Sequence, residues 1–231
     1  MNRTLNVVRM QLINRQTFVW IPLVILLGAL AISLALYGIL QSAGAHGVKI
    51  GGGAQAPLWY FGAIGVQALT RTFPFSQAMS VSRREFFAGT LITAAAAAAA
   101  LSVIFVIGGL VEQATDGYGM QGYFFYLSWL WEAGPFAAGV AYFALAMFFF
   151  VMGFWAATIY KRFGALMTTV TLVAVGVALV VLAWLVTVTH SWPGVADAVQ
   201  TLGAFGLAVG GIVLTAVLAV SSFRTLRRAI P

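Results

Sequence analysis

Residues 164–189 read GALMTTVTLVAVGVALVVLAWLVTVT, 26 positions without one charged side chain. A helix rises about 1.5 Å per residue and the hydrocarbon of a bilayer is about 30 Å thick, so roughly 20 apolar residues suffice to cross it. Five further stretches, 18–40, 57–79, 86–111, 136–160 and 202–223, have comparable length and character, although Arg71 falls inside the second. The composition agrees: 62% of the chain is hydrophobic and 7% charged, against about a quarter charged in soluble domains. Lipid supplies no partner for backbone amides, and uninterrupted runs are unlike the alternation of a membrane barrel. The expected fold is therefore all-α and integral to the membrane, one transmembrane domain of six helices.

Cations fix the expected orientation. Arg3, Arg9 and Arg15 precede the first span, Arg83 and Arg84 separate the second and third, Lys161 and Arg162 the fourth and fifth, and Arg224, Arg227 and Arg228 follow the sixth. The opposite side has Lys49 with Glu112, Asp116, Glu132 and Asp197. The positive-inside rule then puts both termini in the cytoplasm of a multi-pass protein of the bacterial plasma membrane. The net charge of +7 is read as attraction to the bilayer surface rather than to nucleic acid, because the basic residues sit in small groups beside apolar runs. The first span is taken as retained: its apolar core is longer than a signal peptide's, although Ala43–Gly44–Ala45 resembles a cleavage site.

Residues 3–16 suit a short helix lying in the headgroups, with Leu5, Val8 and Leu12 on one face; a loose basic tail is the plainer reading. Of the outer loops, 41–56 is glycine-rich and expected to be mobile. The aromatic segment 118–136 is expected along the outer interface, with a substrate vestibule as the sharper alternative. The alanines at 94–100 and the pair Gly206 and Gly210 mark close helix packing, within the chain or between copies.

Much chemistry is missing. The two lysines, Lys49 and Lys161, are followed by Ile and Arg, so there is no phosphate-binding P-loop, and catalysis by the chain itself is not expected. Zero cysteines leave no thiolate site; His46 and His190 stand far apart without nearby carboxylates, so neither a metal nor another cofactor is expected on this chain. Gln67, Thr70 and Arg71 share a helical face, making a polar stripe where a charge would otherwise be costly. Arg71 either reaches the headgroups or pairs with Glu85, or it lines the inner mouth of a translocation path.

Between the second and third spans stands FPFSQAMSVSRREFFAGT, beginning at Phe73. Pro74 removes a backbone donor, so the second span is expected to end or kink near Phe73. Beyond it Phe75, Met79 and Phe86 can stay in the interface, while Ser82, Arg83, Arg84 and Glu85 form a polar knob. This segment resembles the stretch between the second and third spans of permease subunits of type-2 ABC exporters, commonly F-P-F-(x)n-S-R-(R/K)-x-F-(F/Y)-x-G-T. The six spans, inward termini and N-terminal interfacial helix are similar to that family as well.

The resemblance implies that residues 73–89 form the coupling element docking on a separate ATPase, with Pro74, Phe75, Ser82, Arg83, Arg84 and Glu85 as contacts. It implies a dimer with a second copy or a similar permease, two copies of the ATPase holding ATP and Mg, and alternating access along parts of spans one, two and five. A substrate does not carry over, since the larger outer loop here joins spans three and four rather than five and six. Arg83 and Arg84 would also serve as plain topological anchors. The rival functions are a non-transport assembly or immunity protein and an ion-coupled carrier.

Overall fold

The computed structural model describes residues 3–13, 16–45 and 47–227, with residues 3, 5 and 13 by backbone alone. Arg3, Leu5, Arg15, His46 and Arg228, to which sequence reasoning assigned roles, lie outside the described side chains. The described chain is almost wholly helical. α1 is Arg3–Ile13; a wide-turned stretch, Gln16–Trp20, leads directly into α2, Ile21–Ser42. Helical turns then run without a gap through α3 (Ala56–Gln67), the wide turns Ala68–Thr72 and α4 (Phe73–Ala78). α5 is Arg83–Ala114, α6 the single turn Ser128–Trp131, α7 Pro135–Val188 and α8 Trp192–Leu226.

Among the described residues four helices are long and apolar enough to cross a membrane: Gln16–Ser42, Arg83–Ala114, Pro135–Val188 and Trp192–Leu226. At 54 residues α7 would extend about 80 Å, more than twice the hydrocarbon thickness. It is not one rod. Gly164 has φ 84° and ψ 178°, a conformation open essentially to glycine alone, directly after Lys161 and Arg162. The polar break falls between the fourth and fifth apolar stretches of the sequence, and α8 is broken likewise at Gly203.

The core lies among α3, α5 and the first half of α7. Its tightest point is a backbone crossing: a β-carbon at Gly153 would collide with the Gly62 carbonyl, and one at Gly65 with that of Phe150. With no lipid-excluded hydrophobic drive between helices, such close approach maximises dispersion contacts. Phe61, Phe150 and Phe154 fill the flanks. In the alanine run Ala94 and Ala98 are fully buried, as the small-residue pattern predicts.

Gly206 and Gly210 differ. A β-carbon at Gly206 would meet its own helix's Leu202 and one at Gly210 nothing, so this pair does not pack inside the chain. The second half of α7 contributes no buried residue at all, and Leu166 remains 75% exposed.

At the end of the bundle opposite Arg83 two short strands join the loops. β1 (Lys49–Ile50) pairs in parallel with β2 (Gly122–Tyr123), so the glycine-rich loop is tied to the aromatic one. Tyr37 donates to the Tyr123 carbonyl at 3.1 Å, and Lys49 Nζ to that of Met120 at 2.9 Å.

Candidate functional site

The segment carrying the family resemblance folds as a tight elbow. The kink expected near Phe73 takes the form of the wide turns 68–72, after which the helix continues through Pro74 and stops at Ala78. Wide turns release the ladder bond that proline cannot make, which is why the helix survives it. Ser80 then adopts φ 58° and reverses the chain, while Gln77 Nε2 donates to the Val81 carbonyl across the bend at 3.0 Å. Phe73 and Phe86, both buried, meet edge to face at 5.2 Å and lock the two arms together.

The expected polar knob is mostly committed to holding this elbow. Ser82 caps α5: Glu85 N–H donates to Ser82 Oγ at 3.2 Å, and Ser82 N–H donates to Glu85 Oε2 at 3.0 Å. This reciprocal box satisfies orphan amides at the helix start. Arg83 Nη1 donates to the carbonyls of Leu226 at 3.3 Å and Arg227 at 2.7 Å, closing the C-terminal end of α8. Ser82, Arg83 and Glu85 thus also brace the chain internally, with Ser82 still exposed. The surface offered outward comprises Pro74, Phe75 (57% exposed), Ala78, Met79 (60% exposed), Ser80, Ser82 and Arg84.

α1 rests on the same place. Val7 sits against Gly89, where a β-carbon would stand 2.7 Å away, and Gln11 Nε2 donates to Thr90 Oγ1 at 2.6 Å. Val7 and Gln11, one turn apart, are thus the protein-facing side of α1, and Leu12 from the predicted apolar stripe remains 40% exposed. The second sequence candidate, the stripe on the second span, divides. Thr70 donates back to the Val66 carbonyl, whereas Gln67 and Arg71 open into a small polar cavity shared with Gln11, Thr17 and Thr72. Glu85 is held in the capping box, and Arg71 has no hydrogen-bond or ion-pair partner among the described residues.

One polar centre escaped sequence reasoning. Glu112, at 0% exposure, accepts from the backbone N–H groups of Phe124 (3.0 Å), Phe125 (2.8 Å) and Tyr126 (2.8 Å). Tyr118 also faces it; burial first, then the Glu112 charge, pushes its phenol up to about 12, so it stays a donor. Tyr142 hydroxyl donates to the Phe125 carbonyl. Phe124, Phe125 and Trp131 are consequently buried in the bundle. Part of the aromatic segment, Phe124, Phe125, Leu130 and Trp131, thus folds inward as a plug, while Trp129 and Phe136 stay 47% and 80% exposed. A carboxylate paired mainly with backbone amides has no sequence motif, because those amides lie 12–14 residues away.

Apolar clefts flank the bundle, one of about 390 Å³ between α5, the first half of α7 and α8, lined among others by Phe87, Met147 and Phe223. Among the described residues no group of three His, Cys, Asp or Glu side chains gathers. No protein-family model, curated protein or solved structure matches the chain.

Proposed function

We propose that the chain is the permease subunit of an ATP-driven exporter of the type-2 ABC kind, crossing the bacterial plasma membrane six times with both ends in the cytoplasm. The six crossings are 16–42, 56–78, 83–114, the two parts of α7 on either side of Gly164, and α8 beyond Gly203. The observation that carries the reading is the elbow. Two long apolar helical arms meet in a braced bend whose exposed tip combines aromatic, thioether and guanidinium groups.

A chain without a nucleotide-binding motif must receive work mechanically, and a bend held by a capping box and a buried aromatic pair moves its arms as one piece. Two copies of a separate ATPase, carrying ATP and Mg, would press on Phe75, Met79 and Arg84. A second copy or a similar permease would cover the second half of α7, which buries none of its residues within the chain. A hydrophobic or amphipathic substrate suits the apolar clefts.

The test is co-expression with an ABC-type ATPase encoded beside the gene. Phe75→Ser with Arg84→Glu should lower ATPase retention at least tenfold while leaving membrane insertion intact. Retained ATPase and undiminished nucleotide-driven transport in that double variant would refute the role of the elbow and favour a non-transport membrane component.

A further inference from the structure

The polar cavity beside Arg71 has no part in the elbow. It is about 100 Å³, enclosed by α1, the start of the first long helix and the wide turns of the second, with Gln11, Thr17, Gln67, Arg71 and Thr72 on its walls. The i→i+5 turns bring Gln67 and Arg71 nearly into line on one face. Two features are left open. Arg71 lacks a counter-charge among the described residues. Gln11 is 3% exposed, and with Nε2 held by Thr90 its Oε1 has no partner among the described residues. A buried polar atom without a partner is uncommon and calls for a ligand or water.

On the other side of Phe18, which lines both spaces, lies an apolar cavity of about 240 Å³ bounded by Leu23, Phe61, Thr93, Ala97 and Leu101. A cationic polar pocket next to a dry one has the division of a phospholipid. We propose that the first cavity takes the phosphate head of a bilayer phospholipid and the second one of its acyl chains, with Phe18 between them. A guanidinium fits phosphate oxygens bidentately, and the apolar cavity supplies chain burial that a free anion could not use. The free end of the Gln11 amide and the Gln67 amide complete the head's hydrogen bonds. This lipid would pin α1 to the first two long helices, whatever the chain transports.

The purified full chain in detergent, followed by native mass spectrometry, tests it with four probes: dioleoyl phosphatidylglycerol, dihexanoyl phosphatidylglycerol, dioleoylglycerol and inorganic phosphate. One phosphatidylglycerol per chain should remain bound. Arg71→Gln should weaken it at least tenfold, Arg71→Lys less, and Arg162→Gln not at all. Ala97→Phe, filling the apolar cavity, should weaken the dioleoyl lipid while sparing the dihexanoyl one, and decides the matter alone if Arg71→Gln fails to fold. Equal binding of dioleoylglycerol, displacement by equimolar inorganic phosphate, or unchanged binding in both Arg71→Gln and Ala97→Phe would overturn the proposal.

Discussion

Replacing Glu112 by alanine should release the aromatic plug while leaving the helices in place. The carboxylate holds three backbone N–H groups, Phe124 on Oε1 and Phe125 and Tyr126 on Oε2, in a site closed to solvent. Each buried donor left unsatisfied costs about 1–3 kcal/mol. Three together remove at least about 3 kcal/mol from local stability, and at about 1.4 kcal/mol per tenfold this is roughly a hundredfold. Amide hydrogen exchange read over residues 117–131 should therefore accelerate about a hundredfold in Glu112→Ala. Exchange in the buried part of α5 around Ala94 and Ala98 should hardly change. Glu112→Gln keeps one acceptor oxygen and should fall between, since that oxygen can retain either the Phe124 bond or the Phe125 and Tyr126 pair. Wild-type exchange over 117–131 in Glu112→Ala would refute the reasoning, for the segment would then be held by its aromatic packing alone.

Gly153→Val should destabilise the bundle by about 1–3 kcal/mol or more, as overpacking does, because the new side chain has no space against the Gly62 backbone; thermal unfolding in detergent reads it. Ser82→Ala should cost about 1 kcal/mol through loss of the cap and loosen the bend, and Glu85→Ala in the same background should add less than its own single effect, since the two act as one box. Additive losses in that cycle would mean that Glu85 acts elsewhere.

The helical and apolar character of the chain was readable because lipid leaves so few alternatives for a backbone, and apolar runs register that constraint directly. Within the alanine run Ala94 and Ala98 bury, while Ala96, Ala99 and Ala100 stay exposed. The elbow stands where its motif lies, and Ser82–Glu85 also has the spacing of a capping box, a local signal legible in the sequence. Arg83 could not have been placed, since its acceptors lie more than 140 positions away. The same holds for Glu112, and for the crossing of Gly62 and Gly65 with Gly153, whose partners are chosen by the way whole helices lean. Gly206 and Gly210 show the converse, a small-residue spacing whose neighbour is not in this chain's own bundle.

The opening turns of α5 carry more than the bend. Val7 and Gln11 of α1 rest on Gly89 and Thr90, and the far end of α8 hangs from Arg83. Early and late stretches of the chain thus share a single mooring less than ten residues long. A fluorescent protein or affinity handle fused at either end would tug on that mooring, and a label chosen as neutral could itself shift how the bend responds to load.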